Sequence, residues 1–367
     1  MSLQVSYKKQ VTFFLILLLI VLIIVEFGLR IYDFFNPYCA FLDKDAFDET
    51  SWYTLRWICL DSNALEYEEN PILRTIPDQS FNTIHVNNFG FRGPDIFKEK
   101  PDDAYRIFVV GGSSTFGFGS TSDDTSIPGY LQEEFKKNKN FENVEIINAG
   151  MGHATSFHEK YLIENILNGF SPNMIIIYDG SNDVNYREVN PTLNNPVIDT
   201  EKDPLKFSSY QFYRTPFIIW QNTFRHHDVT PSETSATLSL DIEKNTVNFW
   251  KQNIDEICNT HIKDNIKTVF LVQPILGSGN KILSNDESEY KKNNLDKVTL
   301  ENKLMDDFSQ ELDDLKNSCY LVGDLRNVFD GVKKPLFYDN VHLNDLGNQI
   351  VAKKIYEKIY QIVLEDL

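Results

Sequence analysis

Cysteine is scarce in this chain, and none of the four is placed to bind a metal. Cys39, Cys59, Cys258 and Cys319 form no CxxC pair or other metal-type spacing. An even count permits disulfides outside the cytoplasm. Proximity suggests Cys39–Cys59 and Cys258–Cys319, although four cysteines allow three pairings. Positive charge is also short. The 35 Lys and Arg face 53 Asp and Glu, a net charge of −18. Nucleic-acid binding needs a cationic surface to displace counterions, so no nucleic-acid partner is expected. Lysine is missing altogether between Lys100 and Lys136, a stretch that contains VVGGSSTFGFG. A phosphate loop of the GxxxxGK[ST] type is therefore excluded there. No third glycine completes a dinucleotide fingerprint after Gly117-Phe118-Gly119. Neither serine is centred in GxSxG, since Thr115 follows Ser113 and Phe116 follows Ser114 at the second glycine position. Apolar residues are not lacking. At 42% they exceed what a disordered chain carries and suffice for a large core.

The N-terminus holds the longest apolar run. Residues 11–25 carry no charge, and the run extends to Leu29 if Glu26 is tolerated at an interface. Those 19 residues approach the ~20 that span a bilayer as a helix. Lys8 and Lys9 precede them, and positive flanks stay cytoplasmic. A cleaved signal peptide is the rival, but the run is long for one and no small-x-small site follows. The expectation is a cytoplasmic N-terminus over 1–10, a single membrane helix over 11–29, a juxtamembrane region over 30–104 and an outward-facing domain over 105–367.

From residue 105 the pattern alternates. RIFVV (106–110), VEIIN (144–148), NMIIIYDG (173–180) and TVFLVQP (268–274) read as strands, separated by stretches of helical spacing. The last segment, LNDLGNQIVAKKIYEKIYQIVL, reads as an amphipathic helix. Nearly continuous apolar strands between helices imply a parallel sheet covered on both faces. Residues 186–240 break the rhythm with Pro, Asn, Thr and aromatics, and read as an insertion: a lid, a substrate wall or a structural cap.

In such sheets, ligands gather at the C-terminal ends of strands, where VVGGSSTFGFG, INAGMGHATS and DGSNDVN all fall. A nucleophilic serine needs a base, and the base an orienting acid. Asp339 and His342 lie three apart in FYDNVHLNDLG, a spacing that on a helical turn puts both side chains on one side. Alternatively, Asp339 caps a helix.

Four blocks in order resemble the SGNH (GDSL-type) hydrolase family, of the membrane-anchored bacterial kind, over about residues 85–364. Gly111-Gly112-Ser113-Ser114-Thr115-Phe116-Gly117 is similar to GDSxTxG. Asn148-Ala149-Gly150-Met151-Gly152 resembles the Asn-x-Gly turn. Gly180-Ser181-Asn182-Asp183 matches GxND, and Asp339-Asn340-Val341-His342 matches DxxH. The resemblance implies an α/β fold: a three-layer α/β/α sandwich with a flavodoxin-like parallel sheet. It implies Ser113 as nucleophile, His342 as base and Asp339 as its orienting acid. The oxyanion hole would comprise the Ser113 N–H, an N–H near Gly152 and the Asn182 amide. Gly112 stands where the family usually has Asp, a loop-supporting residue. The second donor is Gly152 or His153, depending on alignment.

Other residues read as structural or undecided. His226-His227-Asp228 is a poor metal site, because adjacent side chains diverge; no metal or cofactor is expected. Arg92 in HVNNFGFRG faces a substrate anion or closes a salt bridge, the latter preferred. Gln273-Pro274 would line the pocket wall, and Asp183 would serve a turn. The expected activity is ester hydrolysis, with O-acyl, especially O-acetyl, groups on an extracytoplasmic glycan as substrate. An O-acyltransferase using the same triad, or an inactive envelope-assembly protein on a degenerate hydrolase fold, are the alternatives.

Overall fold

Tyr105–Gly111 is buried at every position, as a strand covered on both faces must be. It is an interior strand of the sheet in a computed structural model of the protein that describes residues 6–35, 39, 42–68, 72–185 and 240–367. The 186–240 insertion, with His226 and His227, lies outside the described residues but for its last position.

Five parallel strands build the main sheet: β1 (Tyr105–Gly111), β2 (Val144–Gly150), β3 (Met174–Asp179), β4 (Lys267–Val272) and β5 (Leu321–Asp324). Their spatial order is β2-β1-β3-β4-β5, the flavodoxin-like order. In register, Val109 lies between Asn148 of β2 and Ile176 of β3, and Ile177 lies opposite Phe270 of β4. The sequence pattern indicates four of these strands. The fifth has four residues on an edge, with two of the first three only partly buried, so it carries little apolar signal.

Alternation along β1 divides two cores. Phe108 and Val110 face a layer with Leu162, Trp250, Ile254, Leu304 and Phe308. Ile107 and Val109 face one with Leu131, Phe135, Val351 and Ile355. The covering helices are α1 (Ile127–Lys136), α2 (Ser156–Asn165), α3 (Leu240–Asp264), α4 (Asn285–Asn293), α5 (Leu295–Gln310) and α6 (Asp345–Asp366). Their starts are encoded locally. The hydroxyl of Ser126 accepts from Gly129 N–H at 3.1 Å to begin α1, and Asn344 Oδ1 accepts from Gly347 N–H at 3.0 Å to begin α6. The Cys258–Cys319 disulfide joins α3 to the approach to β5, and Cys39 and Cys59 are disulfide-bonded too.

The chain divides into two compact units. Residues 41–197 and 235–367 form the one that carries the sheet, so residues 42–68 and 72–104 pack with it. The described residues before position 40 belong to the other. Its described helix, Tyr7–Phe35, is longer than the predicted span and is long and apolar enough to cross a membrane over Tyr7–Tyr32. Glu26 pairs with Arg30 one turn on, at 2.7 Å, which neutralises the charge near its end.

Candidate active site

Three strand ends meet at the point where the chain reverses direction across the sheet. After β1, Gly112 leads into a single helical turn, Ser113–Phe116. After β2 comes the turn Met151-Gly152-His153-Ala154, closed by Ala154 N–H on the Met151 carbonyl at 3.4 Å. After β3, Asn182 sits in the first turn of the helix Ser181–Asn185. This is the crevice in which open α/β sheets bind ligands.

The Ser113 hydroxyl is 2.7 Å from His342 Nε2. His342 Nδ1 is 2.7 Å from Asp339 Oδ2, and Asp339 Oδ1 accepts the N–H groups of Val341 and His342 at 2.8 Å each. Ser113 is partly exposed, whereas Ser114 is buried with only a 3.4 Å contact to the Val341 carbonyl. The two serines thus differ in access as well as in partner.

Asp339 and His342 are not on a helical turn, and Asp339 caps no helix, contrary to both sequence readings. They lie in a loop closed by a bridge between Phe337 and Leu343, before α6 begins at Asp345. The side chains converge because Asp339 binds the backbone of its own turn, as Asp commonly does. Tyr338 stacks on the His342 ring, centroids 5.4 Å apart and planes within 9°, and its hydroxyl donates to the Phe118 carbonyl at 3.1 Å. Sequence reasoning missed this aromatic, although it immediately precedes Asp339.

Burial favours neutral forms at this site, but the partners override it. For His342 the Asp339 charge and hydrogen bond outweigh burial and raise its pKa above the ordinary imidazole value. For Asp339, burial would raise the carboxyl, but His342 and the two backbone N–H groups hold it below the usual range. Each partner therefore favours the charged form of the other.

Asn182 Nδ2 donates to the Ala154 carbonyl at 2.6 Å. Gly112 makes room for it: a Cβ there would lie 2.4 Å from Asn182 Nδ2. Gly150 is required for another close approach, since its Cβ would fall 2.1 Å from Phe116 N, and Asn148 Nδ2 donates to the Phe116 carbonyl at 3.1 Å beside it. Gly152 is buried, and His153 is exposed with φ +59°, a conformation rare for a residue with a Cβ. Its surroundings and then the nearby His342 lower the His153 pKa. Among the described residues, neither the Gly152 nor the His153 N–H has a backbone acceptor.

Arg92 and Asp183 take structural places. Arg92 is buried, with Nε on Asp123 at 2.7 Å and donations to the Thr83, Phe116 and Gly117 carbonyls. That is the salt bridge preferred from the sequence. Asp183 accepts the Ser156 N–H at 2.8 Å and hydroxyl at 2.7 Å, serving the start of α2; burial pushes its carboxyl up to about 6. Burial likewise raises Glu159 and Asp179, which lie close enough for their charges to oppose. Gln273 is buried, its N–H on the Asp179 carbonyl at 3.0 Å. His158 and His261 are buried and lowered to about 4 by that burial. Among the described residues no group of three or more His, Cys, Asp or Glu is placed to hold a metal.

Residues 107–355 match the model of the GDSL-like Lipase/Acylhydrolase family. The chain belongs to that family. It is accordingly a serine esterase, and the match runs from within β1 through the other four strands and the Asp339–His342 loop. No curated protein matches the chain. Among solved structures, a protein of the lipolytic G-D-S-L family from Desulfitobacterium hafniense DCB-2 is 13% identical, covering 69% of this chain and 98% of its own, with a TM-score of 0.41. A catalytic mutant of an acetylxylan esterase from Geobacillus stearothermophilus is 14% identical over 71% of this chain and 96% of its own, with a TM-score of 0.43. The acetyl xylan esterase AlAXEase is 19% identical over 69% and 99%, with a TM-score of 0.37. Family membership rests on the matched residues, not on these distant likenesses.

Proposed function

We propose that this GDSL-family esterase works through Ser113, His342 and Asp339, anchored in a membrane by its N-terminal helix with the catalytic unit outside the cytoplasm. The reading rests above all on the continuous chain Ser113 Oγ–His342 Nε2 and His342 Nδ1–Asp339 Oδ2, both hydrogen bonds 2.7 Å. His342 takes the Ser113 proton as Oγ bonds to the ester carbonyl carbon. The oxyanion is met by the Ser113 N–H at the head of its helical turn, by Asn182 Nδ2 and by an N–H of the Gly152-His153 turn. The intermediate collapses, the bond to the leaving alcohol breaks, and His342 returns the proton to it. Water then attacks the acyl-enzyme, losing its proton to His342, and the acid leaves as Ser113 is reprotonated. Asp339 keeps the Nδ1 proton in place and stabilises the imidazolium without taking the proton.

The Cys258–Cys319 disulfide supports a location outside the cytoplasm, where disulfides persist. The two lysines before the apolar helix favour the same orientation. An O-acyl, especially O-acetyl, ester on an extracytoplasmic glycan is the substrate that suits such a location.

A fluorophosphonate probe tests the site on the full chain in detergent. Ser113→Ala should abolish labelling and Ser114→Ala should retain it. A folded wild-type protein that takes no label would sink the reading.

A further inference from the structure

The Asp339–His342 loop is held by its own backbone bonds to Asp339 and, from outside, at two further places. At its entry, Glu287 Oε1 accepts the N–H groups of Leu336 and Phe337 at 2.9 and 3.0 Å. The other oxygen of Glu287 accepts Lys281 Nζ at 2.6 Å and Ser284 N–H at 2.8 Å. The Lys281 and Glu287 side chains are 3% and 0% exposed. At its apex, buried Asn340 is fixed at three atoms. Its Nδ2 lies 3.2 and 3.0 Å from the two oxygens of Glu301. Its Oδ1 accepts from the Tyr290 hydroxyl at 3.3 Å, and its carbonyl accepts Leu276 N–H at 2.8 Å. Burial, with the charges of Asp339 and Glu301, pushes Tyr290 up to about 12, so it remains a donor. Glu287 and Glu301 stand on adjacent helices, α4 and α5, and both are buried.

Burying a carboxylate is costly unless it is well hydrogen-bonded, and an apolar residue of similar size packs as well or better. Each carboxylate has a lysine beside it, Lys281 at 2.6 Å from Glu287 and Lys297 at 3.8 Å from Glu301, and each also accepts from the loop. Asn340 lies between Asp339 and Val341, whose N–H binds Asp339 Oδ1 at 2.8 Å. A rotation of Asn340 therefore moves Asp339 and the N–H groups that orient it together.

We propose that Glu301, through Asn340, and Glu287, through the backbone of Leu336 and Phe337, are positioning residues for the reaction, holding the loop so that Asp339 stays on His342 Nδ1. The proposal rests on the triad reading above. Neither glutamate touches the reacting atoms.

The test compares the full chain in detergent as wild type, Glu301→Ala, Glu301→Gln, Asn340→Ala and Glu287→Gln. The readouts are kcat and KM for p-nitrophenyl acetate, the downfield Nδ1 proton resonance of His342, and thermal unfolding. Displacement of the pair by an ångström costs on the order of 100-fold in rate. Glu301→Ala and Asn340→Ala should each lose about that in kcat with KM near wild type, and broaden or move the His342 proton. Glu287→Gln should lower kcat less, since it keeps one acceptor, and Glu301→Gln should recover most of the loss for the same reason. Variants that unfold at lower temperature but keep wild-type kcat and an unmoved proton overturn the proposal. If Glu301→Ala does not fold, Asn340→Ala decides on the same criteria. If the wild type neither turns over ester nor takes the fluorophosphonate label, the triad reading fails. The His342 proton in the variants then still decides the positioning claim.

Discussion

Replacing Gly112 by alanine adds one methyl group to the protein, and its effect can be worked out from the site. Gly112 has φ −79° and ψ −155°, an extended conformation open to any residue, so no backbone strain arises. The new Cβ would lie 2.4 Å from Asn182 Nδ2 and 3.5 Å from its Cγ. The nearest atom is the end of a side chain, so Asn182 swings away and gives up its 2.6 Å bond to the Ala154 carbonyl. Losing one neutral hydrogen bond costs about 1 kcal/mol. Removing a glycine from the unfolded chain returns roughly 0.4–1 kcal/mol. The melting temperature should hardly change. Catalysis should fare differently, because loss of one oxyanion donor costs about 100- to 1,000-fold in kcat. The assay is kcat and KM for p-nitrophenyl acetate in wild type, Gly112→Ala, Asn182→Ala and the double variant. The single variants should lose similar amounts, and the double variant little more than Asn182→Ala alone. Gly112→Asp, which restores the family's usual residue, should also lose activity here, because its side chain starts from the same Cβ. A Gly112→Ala enzyme with wild-type kcat would refute the argument that the glycine exists to seat Asn182.

The other predictions concern charge, burial and cross-linking. Asp339 raises the His342 pKa, and a general base must be neutral, so activity should rise with pH through a midpoint above the ordinary ~6.5 of histidine. Asp339→Asn should move that midpoint down and lower kcat by roughly 10,000-fold, seen in a pH–rate profile. Arg92→Ala leaves Asp123 and three carbonyls without their buried donor, and should cost about 3–5 kcal/mol in denaturant unfolding. Cys258→Ser with Cys319→Ser opens a link across a separation of 61 residues; by loop entropy it should cost about 4 kcal/mol, measured the same way with the remaining cysteines oxidised.

What the sequence determined is local and periodic. Apolar runs at Tyr105–Gly111 and Met174–Asp179 declare buried strands, because neighbouring side chains point to opposite faces and both faces are covered. The uncharged run 11–25 declares a helix for an apolar environment. The resemblance of four ordered blocks brings Ser113, Asn182, Asp339 and His342 together on the page, and the structure brings them to one crevice. Tertiary structure decided the rest, because the deciding contacts join residues remote in sequence. Ser113 meets His342 across a separation of 229 residues, while Ser114, one position on, turns inward. The converging side chains of Asp339 and His342 come from a bridged loop rather than a helical turn, and three-residue spacing alone does not distinguish the two. The edge strand β5 is too short for periodicity to register. Glu287 and Glu301 look like surface charges of two polar helices until the fold lays the loop 336–343 over them. Their surroundings, not their spacing, made them buried.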